Sequence, residues 1–184
     1  MEQPDHRRRS YRASRGEREL ALPERRAEHL ENTIDQQSAL DPVALRIFVY
    51  DEIVARGRPP ALSDIAARFE ITVPNARHAL AELKIGKTIL VDPQSGEIWM
   101  AGPFSAVETP YHVVSGSRTW WANCAWDMLG VVMIVNERTT IHTQCTDCAA
   151  PMTLTGDPSV RPNEKAVVHF LVPARRWYED IGFT

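Results

Sequence analysis

Apolar residues fall into a regular pattern only after Ser38. In "LDPVALRIFVYDEIVARG", Leu45, Phe48, Val49 and Ile53 share one helical face, with Asp41 as the cap and Pro42 in the first turn. The stretch "RPPALSDIAARFEI" predicts a loop and a short helix capped by Ser63, with Ile65, Ala66 and Phe69 turned inward. Next, "TVPNARHALAELKIGKTILV" predicts a third helix from about Val73 to Leu83 that leads into the strand "TILV". The turn "DPQSG" joins that strand to "EIWMAG" as a hairpin. Three helices and a hairpin in this order read as a winged helix-turn-helix.

The Gly-Pro-containing connector "AGPFSAVETP" opens a second half with a different rhythm. There "YHVVSG" predicts a strand, "NCAWDMLGVVMIV" a helix, and "TTIHTQC" and "APMTLTGD" two strands joined through "TDCA". A further strand is expected at "EKAVVHFLVP", and "ARRWYEDIGFT" begins a helix or turn. The expected fold class is α+β: an N-terminal winged helix-turn-helix domain, then a small mixed sheet packed on a buried helix. The expected divisions are a charged arm at 1–37, a winged-helix-like domain at 38–106 and an α+β domain at 107–184.

Composition narrows the function classes. The chain has 184 residues, 43% of them hydrophobic and 24% charged, as in a globular protein with one respectable core or two small ones. Residues 1–37 mix both signs of charge with little apolar periodicity, which predicts a flexible arm with one helix after Pro23. Arg7, Arg8 and Arg9 are followed by Glu17, Glu19, Glu24, Glu28 and Glu31, the balance of a solvated tail rather than a phosphate clamp. The longest apolar run, "MLGVVMIV", falls far short of the roughly 18 residues a membrane span takes. The N-terminus lacks the apolar segment of a secretory signal, so the cytoplasm is expected. Three cysteines are too few for a disulfide framework and read as reduced thiols. A net charge of -3 argues against sequence-independent nucleic-acid binding. On the third helix and wing, Arg77, His78, Lys84 and Lys87 are offset by Glu82, Asp92 and Glu97, which favours a structural or interaction domain over a DNA reader.

Two groups of residues carry candidate chemistry. In "WWANCAWDML", Asn123 is placed to cap a helix beginning at Cys124, where the helix dipole and free N–H groups favour a thiolate. Asp127 lies three residues on, on the same face, amid Trp120, Trp121, Trp126, Met128 and Leu129. Those surroundings favour a protonated carboxyl, and a thiol beside a proton-handling carboxyl is a chemical pair. The alternative is a small buried cysteine with an aspartate bonded to backbone or to Arg118. In "HTQCTDC", His142 precedes the C-x-x-C of Cys145 and Cys148. A zinc centre there needs a fourth ligand, from Cys124, Asp147 or a distant histidine. The other readings are a turn holding core thiols and a site of soft-metal capture. His169 alternates within "AVVHFLV" as a strand histidine, and no nucleophile elbow, phosphate loop or dinucleotide fingerprint occurs.

The block "WWANCAWDML" resembles the active-site helix of the organomercurial (alkylmercury) lyases, aromatic-x-x-Cys-Ala-x-Asp-x-Leu. "CTDCAAPMTLT" resembles that family's cysteine-containing turn and following strand, "AVVHFLVP" a later strand, and the first half its N-terminal domain, over roughly residues 40–184. The resemblance implies protonolysis of a carbon–mercury bond. Cys124 matches the thiolate that takes mercury and Asp127 the aspartate that manages the proton. Cys145 matches a cysteine that is structural in the family, and Cys148 has no clear counterpart. The implied metal ligands are Cys124, Cys145 and Cys148, toward mercury or another soft metal. No cofactor is implied beyond mercury as substrate and product ion, with zinc a weaker reading. The implied partners are a small organometallic substrate and cellular thiols or a mercury-reducing enzyme as acceptor; nucleic acid and membrane are not among them, and a sheet lacking its final strand would leave an open edge through which a second copy of the chain is expected to pair. The family's second catalytic cysteine follows the segment that here reads "WYEDIGFT", and the sequence ends at Thr184. A non-catalytic winged-helix regulator with metal-sensing thiols is the rival expectation.

Overall fold

A computed structural model describes residues 40–83, 89–160 and 167–179. The charged arm, its expected helix after Pro23, and Lys84 and Lys87 lie outside the described residues.

Helix α1, Pro42–Arg56, begins as its sequence predicts. The Asp41 carboxylate accepts the Val43 N–H at 2.9 Å, and Pro42 occupies the first turn, where a missing N–H costs nothing. Leu45, Val49 and Ile53 are fully buried, while Phe48 is half-buried and meets Phe69 edge-on at 5.6 Å. Helix α2, Leu62–Phe69, starts earlier than expected: its cap is Ala61, not Ser63. Asp64 accepts the Ala61 N–H at 3.1 Å, and Glu97 accepts the Leu62 N–H at 2.9 Å, so two carboxylates satisfy N–H groups at the helix start. Helix α3, Val73–Leu83, buries Ala76 and Leu80.

Strands β1 (Ile89–Val91) and β2 (Ile98–Ala101) form the expected hairpin. The Asp92 carboxylate closes its turn by accepting the N–H groups of Gln94 and Ser95. The chain continues through β3 (Phe104–Ser105), β4 (His112–Ser115), β5 (Arg118–Ala122), helix α4 (Ala125–Val135), β6 (Thr139–Gln144) and β7 (Pro151–Gly156). These strands make one seven-stranded sheet in the order β1-β2-β3-β5-β4-β6-β7, with every neighbouring pair antiparallel. The fold is therefore α+β with an antiparallel sheet, where a mixed one was expected. The sheet also runs through the division expected at 106/107, because β3 pairs with both β2 and β5.

The stretch "RTWWA" is strand β5, not the approach to a helix. Trp120 and Ala122 point into the core, and the Trp120 indole N–H reaches the Ile53 carbonyl at 2.9 Å, tying the sheet to the end of α1. Helix α4 buries Met128, Val131, Val132 and Val135 against the sheet but exposes Met133 and Ile134, so it is covered on one face rather than enclosed. The expected strand at "EKAVVHFLVP" is absent from its described part, 167–172. Val167 is 87% exposed and Leu171 79%, so no apolar face there gains a sheet to cover it. A six-residue 3-10 helix, Ala174–Glu179, follows. Among the described residues no helix is long and apolar enough to cross a membrane.

Candidate active site

Strand β5 delivers the chain to Cys124 at the start of α4. Cys124 is the N-cap residue itself, in extended backbone geometry, so the helix begins one position later than expected. Its sulfur sits at the helix start without forming a cap hydrogen bond, and the nearby backbone N–H groups of Asp127 and Trp126 favour a thiolate. Burial opposes them and is the largest influence, and the Asp127 carboxylate adds to it, so the Cys124 thiol is pushed up rather than down. Burial and the neighbouring carboxylate thus favour the thiol form of Cys124.

Asp127 is half-buried and also has its proton affinity raised by burial, the direction expected from the sequence. Its partners are the side chains of Asn123 and Cys124, which favour the charged form and offset part of that shift. Arg118, an expected partner, is bound to Glu137 instead, at 2.5 Å. Asn123 is not the cap: its backbone N–H reaches the Pro103 carbonyl at 3.2 Å and its side chain serves Asp127. Tyr50, on α1, also feels the Asp127 charge; burial and Asp127 raise its phenol while Arg46 lowers it. Its hydroxyl donates to the Gly102 carbonyl at 2.7 Å.

Cys124 opens onto a cavity of about 420 Å³. One wall is Ala125 and Trp126 of α4, a second is Tyr111, and a third is Thr146 and Asp147 from the β6–β7 loop. The segment 168–172 with Trp177 covers it. That cover is aromatic: the Phe170 ring lies 6.2 Å from Trp126 and 5.2 Å from Trp177. Asp127 is not in the lining and reaches the cavity through the Cys124 sulfur. Burial, then the nearby Cys124, raises the Tyr111 phenol. His169 was expected to sit in a strand; it is exposed and lines this cavity.

Residues 104–183 match the alkylmercury lyase (MerB) family model. This is the family that "WWANCAWDML" resembles, and the match covers less than half of the chain. The matched segment begins at β3 and includes Tyr111, Cys124, Asp127, the C-x-x-C loop and the cavity's cover. Tyr50 lies outside it. The chain is also similar to the crystal structure of the mercury-bound form of MerB2, at 19% identity and a TM-score of 0.49, over 73% of this chain and 62% of that one. No curated protein matches the chain.

The three cysteines are free thiols, but they do not converge. Cys145 and Cys148 sit beside each other in the loop whose middle residues, Thr146 and Asp147, wall the cavity; neither sulfur lines it. His142 stands 5.8 Å from His112 on the adjacent strand, and His112 stacks on Trp121 at 4.3 Å. Among the described residues no three of His, Cys, Asp and Glu gather as a metal site. The sequence reasoning missed Tyr111, Trp126, Phe170 and Trp177 as cavity walls. The only local signal for them is the aromatic density on either side of Cys124.

Proposed function

We propose that this protein cleaves a carbon–mercury bond by protonolysis, with Cys124 as the mercury-binding sulfur and Asp127 as the proton carrier. The observation that supports this most is the adjacent, half-buried Cys124–Asp127 pair at the mouth of an aromatic cavity, within the segment that matches the alkylmercury lyases. The substrate is an organomercurial that carries a cellular thiol, R–Hg–SR′. Cys124 gives its proton to Asp127 as its sulfur adds to mercury; Asp127 returns the proton to the leaving carbon as the C–Hg bond breaks. Hydrocarbon R–H departs, and Hg(II) stays two-coordinate between Cys124 and the thiol that came with the substrate. Atoms and charge balance with one protein thiol. Mercury is substrate and product ion, cellular thiols or a mercury-reducing enzyme are the acceptors, and the setting is cytoplasmic. Helices α1 to α3 and the β1–β2 hairpin serve as a winged-helix-like support, with α1 packed on β5 behind the site.

The test is to incubate the full chain with phenylmercury and excess thiol and to assay benzene. Benzene is expected from the natural sequence, with a loss of roughly 100-fold or more in Asp127→Asn, the scale of a removed proton carrier. Yields no higher than those of Cys124→Ser would overturn the reading. Self-association through an open sheet edge belongs to the same proposal. Both outermost strands, β1 and β7, leave one side without a described partner strand. Sedimentation at rising concentration should show a dimer, and a single monomeric species throughout would exclude it.

A further inference from the structure

The β6–β7 loop holds a second pair of sulfurs that the Cys124–Asp127 chemistry does not use. The loop spans 145–150 and is closed at its base, where the Cys145 N–H donates to the Ala150 carbonyl and the Ala149 N–H to the Cys145 carbonyl, both at 2.9 Å. Ala149 takes a left-handed conformation, φ 55°, which folds the loop tightly enough to bring residues 145 and 148 together. Cys148 and the backbone of Asp147 therefore lie against the Cys145 sulfur. Cys148 is exposed, so the pair is open to solvent.

We infer that Cys145 and Cys148 form a dithiolate site for one soft, two-coordinate metal ion, separate from Cys124. Two thiolates on a short closed loop suit such an ion, and the absence of a third converging ligand among the described residues suits a two-coordinate ion rather than a tetrahedral one. Binding of free Hg(II) forms two S–Hg bonds and releases both thiol protons to water. The location adds a role that rests on the lyase reading. The same loop walls the Cys124 cavity with Thr146 and Asp147, so an ion leaving Cys124 meets the dithiol next. In that exchange the two protons of the pair pass to Cys124 and to the departing cellular thiol.

The experiment uses the full chain carrying Cys124→Ser, with mercuric chloride as the probe and a monothiol in excess. One Hg(II) per chain is expected, with two molecules of the monothiol displaced from mercury. Adding Cys145→Ser or Cys148→Ser should weaken retention by roughly 100-fold, the scale of losing one arm of a two-armed ligand. Phenylmercury, which has one open position, should bind each remaining thiol alike in the single-thiol and dithiol chains, and an unchanged circular dichroism spectrum shows that the variants are folded. Equal retention of Hg(II) by single-thiol and dithiol chains, or two ions per dithiol chain, would overturn the site. Because Cys124 is absent throughout, a failure to release benzene would sink the lyase reading and leave this result standing.

Discussion

Burial raises the proton affinity of both Cys124 and Asp127, and the two are adjacent, so the site favours keeping a proton between them. The consequence for stability has a definite sign. Because Asp127 holds its proton more tightly folded than unfolded, its contribution is full below the unfolded carboxylate value and is lost as pH rises through the folded one. Asp127→Asn has nothing to lose there. Its Tm minus that of the natural sequence should therefore increase from pH 4 to pH 7, and a difference independent of pH would refute the shift. At this scale the sequence was informative about Cys124 and Asp127, because i,i+3 spacing is a local property. It could not reveal that burial would outweigh the helix start at Cys124, nor that Asn123 would turn to Asp127 and Arg118 to Glu137. Those outcomes depend on residues brought in by other strands.

Secondary structure was most legible where each element had one buried face and clear end signals. Helix α1 carries its cap, its proline and its apolar stripe within one stretch, and forms where expected. Strand β5 was hidden because its tryptophans merge into the apolar run of α4, and a short apolar run does not declare its period. The segment 167–172 misled in the opposite way: its alternation suits a strand, but it covers the cavity instead. Packing between α4 and β7 is close enough to test. A methyl group added at Gly156 would sit 2.4 Å from Thr139 Oγ1 and 2.5 Å from Val132 Cγ2, far inside contact distance. Gly156→Ala should cost about 1–3 kcal/mol in urea unfolding, with the slope unchanged. An unaltered midpoint would show that α4 can move aside.

Over the whole molecule, the residues from Leu40 onward form one unit, organised by a sheet that starts in the helical half and ends beyond the C-x-x-C loop. The α+β class was legible from the alternation of patterns. The continuity of the sheet was not, because strand pairing between β2, β3 and β5 is set by contacts remote in sequence. The aromatic wall around Cys124 has an optical consequence. Trp126 and Trp177 both face the cavity, whereas Trp120 is sealed in the core. A mercury atom held on Cys124 would lie beside two indoles and drain their excited states by heavy-atom spin–orbit coupling, so emission should dim as the ion arrives and recover when a competing dithiol removes it. Cys124→Ser should leave the signal largely unchanged, and equal quenching in that variant would mean that the ion had settled elsewhere.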